Sequence, residues 1–145
     1  MKTELEERTR KFAVNIVKLI RTFPKTVDGI EVGRQLLKSG TSVGANYREA
    51  NLAESNADFI HKVGIAEKEA SETMYWLEIC EAVHLGQNDD VRSLLREGTE
   101  LLAILVTIGR KAKGRGRAIA TVASIVILSL FSLSRFPLSA FHILQ

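Results

Sequence analysis

A single cysteine, Cys80, stands in 145 residues. That excludes an internal disulfide and any zinc site built on paired cysteines, and it suits a reducing compartment. A glycine-rich phosphate loop is missing too. Gly29 and Gly33 do not have the spacing, and no strand pattern precedes them. Ser42 has no histidine base in its own segment, because His61, His84 and His142 all lie elsewhere, so no catalytic triad can be argued. The opening MKTELEERTRK is charged and has no apolar run, which is not a secretory pattern, and a cytoplasmic location is the expectation. Acid is also missing over two stretches. None occurs between Arg8 and Lys25, and none from Ala118 to Gln145.

What is present is helical periodicity on a scale that fits one domain. Leu5, Phe12, Ile16, Leu19, Ile20 and Phe23 predict a first helix from about Thr3 to Phe23, ended by Pro24. Glu4, Glu6 and Glu7 crowd its first turn, where the helix dipole favours anions. Thr26 or Asp28 caps a second helix running to about Glu54. Ser55 or Asn56 caps a third, which runs to His84 or Leu85 and ends at Gly86. Its residues Phe59, Val63, Ala66, Ala70, Thr73, Leu77 and Cys80 alternate spacings of four and three, a sustained bundle seam, and the Cys80 thiol is expected to be buried and inert. Asn88, Asp89 or Asp90 caps a fourth helix from Val91 to about Lys113. The expected fold is all-α, an antiparallel up-down four-helix bundle over residues 1–117.

The segment Gly40-Thr41-Ser42-Val43-Gly44-Ala45-Asn46-Tyr47-Arg48-Glu49-Ala50 departs from ordinary core-helix composition. Gly33, Gly40 and Gly44 fall along one helical line. Each glycine costs about 1 kcal/mol against alanine inside a helix, so a line of them calls for the close approach of a neighbouring helix. Gly40, Gly44, Asn46, Tyr47 and Glu49 are therefore assigned to a structural motif, with Asn46 and Glu49 needing partners near the contact. This segment, preceded by GRQLLKS and followed by FIHKVGIAEKEASETMYWLEI, resembles the bacterial four-helix-bundle proteins encoded in intervening sequences of 23S ribosomal RNA genes. The resemblance covers about Phe12 to Lys113. It implies the bundle fold. Through a further similarity to the accessory proteins of diversity-generating retroelements, it implies a basic homopentamer that binds RNA or DNA and a reverse transcriptase.

A carboxylate-bridged metal pair in such a bundle needs a Glu-x-x-His on each of two helices. The nearest matches are Glu81 with His84 and, more loosely, Asp58 with His61. Both lie on the third helix, 23 positions apart, or roughly 34 Å. No metal, no cofactor and no enzymatic activity is the expectation. Nucleic-acid binding is the leading functional reading. Arg10, Lys11, Lys18, Arg21 and Lys25 share the polar side of helix 1, and Arg110 and Lys111 add cations at the end of helix 4. A formal net charge of +3 lends this only weak support; a solvated basic face is the plainer alternative. A scaffold that docks a protein partner such as a polymerase is the runner-up.

Ile65, Trp76, Ile79 and Val83 form a second apolar line on helix 3, roughly opposite its seam. A monomeric bundle buries one stripe per helix, so this line is read as a subunit interface anchored by Trp76. Residues 118–145 change character: Ala118 to Leu133 carries no charge. Three alternatives stand open for this apolar tail. It is a membrane anchor, a helix docked on the bundle or in the oligomer, or an unselected extension.

Overall fold

The computed structural model describes residues 4–133, with 116, 117, 119 and 128–133 described by backbone alone. Four helices follow one another: α1 (Glu4–Ile20), α2 (Val27–Ala50), α3 (Asn56–Ala82) and α4 (Asn88–Leu133). They form the expected four-helix bundle, and no strand occurs among the described residues. One compact unit ends at Ala112 and a second begins at Lys113.

Each helix end has a local cause. α1 stops at Ile20, short of the expected Phe23. Proline disfavours the helical conformation of the residue before it, and the chain tightens ahead of Pro24. The Thr22 and Phe23 N–H groups donate to the Leu19 and Ile20 carbonyls, three residues back, at 2.9 and 3.0 Å. Thr26 is the cap of α2, with its hydroxyl accepting from the Gly29 N–H at 3.3 Å. α2 ends at Ala50 rather than Glu54. Ser55 caps α3 by accepting from the Asp58 N–H at 3.1 Å.

The end of α3 differs from the expected glycine cap. His84 takes the left-handed conformation at φ 55°. Leu85 N–H then reaches Cys80 O at 2.8 Å and His84 N–H reaches Glu81 O at 3.3 Å, the paired bonds of a Schellman closure. Leu85 is buried and joins the core. Gly86 follows at φ 86°, where a Cβ would lie 2.7 Å from Leu19 Cδ1 and 2.9 Å from Phe23 Cε1. α4 starts at Asn88, so Asn88, Asp89 and Asp90 occupy its first turn rather than a cap position. There Asp89 and Asp90 complement the helix dipole. α4 also runs through Gly114 and Gly116 to Leu133, well past the expected end at Lys113.

All four helices feed one core. Phe12, Ile16 and Leu19 of α1 meet Leu36 of α2, Leu77 and Cys80 of α3, and Val91, Leu94 and Leu101 of α4. Val43, Tyr47, Ala66, Ala70 and Leu105 continue it. Three hydroxyls are fully buried within it. Each returns to a carbonyl of its own helix: Thr9 to Glu6 at 3.1 Å, Ser39 to Gln35 at 3.0 Å and Thr73 to Glu69 at 2.7 Å. Local satisfaction removes the cost that an unpaired buried hydroxyl would carry. Cys80 is fully buried, and burial pushes its thiol up to about 11, away from the reactive thiolate.

The glycine line of α2 faces α1. A Cβ at Gly40 would lie 3.0 Å from Ile16 Cγ1, and one at Gly33 would lie 3.2 Å from Ile20 Cγ2. At Gly44 it would meet Thr9 at 3.4 Å, an ordinary contact. The approach is therefore tightest at Gly40. A second line went unread in the sequence. Gly98 and Gly109 share a face of α4; a Cβ at Gly98 would lie 2.5 Å from Met74 Sδ, and one at Gly109 would overlap Glu67 Oε1. α3 packs closely there.

Candidate nucleic-acid interface

The cations of α1 fall into two sets. Arg8 turns toward α4 and grips Glu97 with two bonds, Nε to Oε1 at 2.7 Å and Nη2 to Oε2 at 2.9 Å, and it also meets Glu100. These carboxylates hold its guanidinium well above its ordinary value. Arg10 pairs with Glu7 on its own helix at 2.9 and 2.6 Å. Lys11, Lys18, Arg21 and Lys25 are exposed and form no ion pair among the described residues. Arg10 is thus partly neutralised, and the other four cations predicted on this face remain available.

Lys11 and Lys18 border an open groove of 670 Å³ between α1 and α4. Phe12, Leu19 and Leu94 supply its apolar surface; Asn15, Thr22 and Ser93 supply polar groups. Asp90 and Glu97 also line it, both on α4. An anionic ligand entering deeply would meet those carboxylates. The outer side of α1, where Lys11 and Lys18 flank Val14 and Asn15, has no acid among its lining residues. A polyanion is better received there.

Arg110 and Lys111 are exposed on α4 but do not join this face. Arg8 marks the level of Glu97 and Glu100, and α4 runs antiparallel to α1. Lys18 lies ten residues from Arg8 toward one end of the bundle, and Arg110 lies ten beyond Glu100 toward the other. At 1.5 Å per residue the two sites are about 30 Å apart along the axis.

The second apolar line of α3 flanks the core instead of opposing it. Trp76 packs partly against the core, with its indole N–H donating to Glu72 Oε1 at 3.3 Å. Ile65 and Ile79 are half-buried, and Val83 is 58% exposed. Tyr75, unremarked in the sequence, is 56% exposed and stands edge-on to Trp76, with centroids 5.0 Å apart. The motif residues also separate. Tyr47 is buried, and Asn46 donates to Ser42 O of its own helix at 2.9 Å. Glu49 is exposed and pairs with Lys62 of α3 at 2.5 Å, so it forms no buried polar layer. A half-buried carboxylate that the sequence did not single out has one enclosed oxygen: Glu69 Oε2 has no hydrogen-bond partner. Burial raises its carboxyl above the ordinary range, Glu72 adds to the shift, and Lys38 opposes it. No group of three metal-ligating side chains occurs among the described residues.

The profile of the 23S rRNA-intervening sequence protein family matches residues 1–107. The chain belongs to this family. It is similar to a crystal structure of a protein of unknown function from the S23 ribosomal protein family of Bacteroides thetaiotaomicron VPI-5482. The two share 38% identity over 72% of this chain and 96% of the other, with a TM-score of 0.64. No curated protein matches the chain. The matched span ends before Arg110, so the last part of α4 lies outside it.

Proposed function

We propose that this member of the family is a non-enzymatic, cytoplasmic nucleic-acid-associated protein, with RNA or a ribonucleoprotein as its target. The observation that carries the reading is the split among the α1 cations. Lys11, Lys18, Arg21 and Lys25 stand exposed without an ion pair among the described residues, while Arg8 and Arg10 are engaged by carboxylates. A cation free of internal acids is the one best placed to meet phosphate, and these four have no acid partner among the described residues. The face carries no exposed aromatic side chain for base stacking, so contacts go to the backbone and carry little sequence preference. Homo-oligomerisation, with a pentamer as the first choice, multiplies these weak contacts. Ile65, Trp76, Ile79 and Val83, joined by exposed Tyr75, supply the subunit contact.

Charge reversal tests the face. Lys11→Glu, Lys18→Glu and Arg21→Glu in one full-length protein should abolish binding to a generic single-stranded RNA at 50 mM salt, leaving helicity unchanged by circular dichroism. Retained affinity would sink the assignment. The second reading, a scaffold that docks a polymerase or reverse transcriptase, draws on the Tyr75–Trp76 pair, since aromatic residues are enriched at hot spots. Recovery of one polymerase that survives nuclease and high salt, and is lost in Tyr75→Ala, would favour it.

A further inference from the structure

After Glu100 the chain contains no acid. Lys113, Arg115 and Arg117 stand directly before Ala118–Leu133, sixteen helical residues without a charge. Within that run Val122, Ile125, Val126 and Ile127 are 61, 60, 50 and 59% exposed. Singly scattered surface hydrophobics are ordinary, but Val122, Ile125 and Val126 stand at i, i+3 and i+4 on one helical face and form a patch that marks an interaction site. The hydroxyl of Ser124 is already satisfied, because it donates to Ala120 O at 2.9 Å. A serine bonded back to its own helix enters an apolar medium at reduced cost.

Length selects the geometry. Sixteen residues reach about 24 Å, short of the roughly 30 Å hydrocarbon core. No helix among the described residues is long and apolar enough to cross a membrane. An apolar helix with a basic shoulder fits the bilayer interface instead. There, apolar side chains sink below the headgroups while lysine and arginine extend to the phosphates. Charge weighs against two simpler occupants. A nucleic acid offers nothing to the apolar patch, and a second copy of this acid-free segment offers no anion to Lys113 and Arg115.

We propose that the α4 extension from Lys113 to Leu133 docks on an anionic lipid surface, with Val122, Ile125 and Val126 among the acyl chains and Lys113 and Arg115 at lipid phosphates. It uses none of the α1 cations, so it stands or falls apart from the nucleic-acid reading. The full-length protein is mixed with vesicles of phosphatidylglycerol and phosphatidylcholine, or of phosphatidylcholine alone, and the bound fraction is read by sedimentation. Binding is expected on the anionic vesicles and at least tenfold less on the neutral ones. Lys113→Gln with Arg115→Gln should weaken it about 25-fold, at roughly fivefold per cation near an anionic surface. Ile125→Asp with Val126→Asp should abolish it while the bundle melts at the same temperature. Equal binding to both vesicle types, or no binding to either, would overturn the proposal. Sedimentation without lipid that Ile125→Asp with Val126→Asp cures would assign the patch to a second copy and overturn it too. Loss of RNA binding in the glutamine variant with vesicle binding intact would assign those cations to nucleic acid, which likewise overturns it.

Discussion

Gly40 and Gly44 look alike in the sequence, yet the structure predicts opposite responses to alanine. At Gly40 the new Cβ would lie 3.0, 3.1 and 3.4 Å from the Ile16 side chain, which is fully buried and has nowhere to retreat. At Gly44 the nearest atoms are those of Thr9 at 3.4 Å, an ordinary contact. Both substitutions gain about 1 kcal/mol of helix propensity. Only Gly40→Ala incurs overpacking, at about 1–3 kcal/mol. Gly44→Ala should therefore stabilise by up to about 1 kcal/mol, while Gly40→Ala should be neutral or destabilise by up to about 2 kcal/mol. Urea denaturation of both variants reads the difference. The clash has a named partner, so a double-mutant cycle with Ile16→Ala should show a coupling of about 0.5–3 kcal/mol at Gly40 and almost none at Gly44. Equal stabilisation by both alanines would refute the claim that α1 closes most tightly on Gly40.

Three other residues carry predictions from the same geometry. Gly86→Ala should destabilise by more than about 1 kcal/mol in urea, because it meets both a positive φ and contacts of 2.7 and 2.9 Å. Cys80 should resist a thiol reagent at pH 8 until urea unfolds the protein. Its folded thiol near 11 against an ordinary 9.0 means that the folded state keeps the proton longer, so stability should fall as pH rises from 9 toward 11, by at most about 1.4 kcal/mol per pH unit. Replacing Cys80 with Ser should remove that fall. Glu69 follows the same sign: its raised carboxyl costs stability as pH climbs above 4.5, and Glu69→Gln should flatten a melting-temperature profile there.

The bundle was legible because its signals are redundant: apolar periodicity, hydroxyl caps at Thr26 and Ser55, and Pro24 behind α1. The glycine line of α2 was legible because three glycines inside one helix demand a close neighbour. Gly98 and Gly109 carry the same signal, eleven positions apart like Gly33 and Gly44, but lie in a helix whose broad apolar face draws attention away. The end of α3 was misread because His84, not a glycine, takes the left-handed position. Helical wheels placed Arg10, Lys11, Lys18, Arg21 and Lys25 on one side of α1 with Arg8 outside the set; they could not show that acids from α4 would claim Arg8, and the pairing of Arg10 with Glu7, three residues before it, went unread. Glu97 and Glu100 are distant in sequence and adjacent to Arg8 in space. The same limit joined Arg110 and Lys111 to a face that lies about 30 Å away along the bundle. Glu49, expected to need a partner near the close contact, is exposed and pairs with Lys62, while Glu69 is the carboxylate with an enclosed oxygen.

The nucleic-acid reading is tested most directly by the affinity of the full-length protein for a generic single-stranded RNA as a function of salt, with the mass of the complex read by light scattering. Four phosphate contacts per protomer, one for each free cation of α1, give a logarithmic slope of about −2.8 and hence about fifty-fold weaker binding at 200 mM than at 50 mM. The account predicts that slope or a steeper one in an oligomer, and its collapse when Lys11, Lys18 and Arg21 are reversed. A monomer whose RNA affinity is absent at 50 mM, or is indifferent to salt, would contradict it and leave the basic side of α1 as solvated surface.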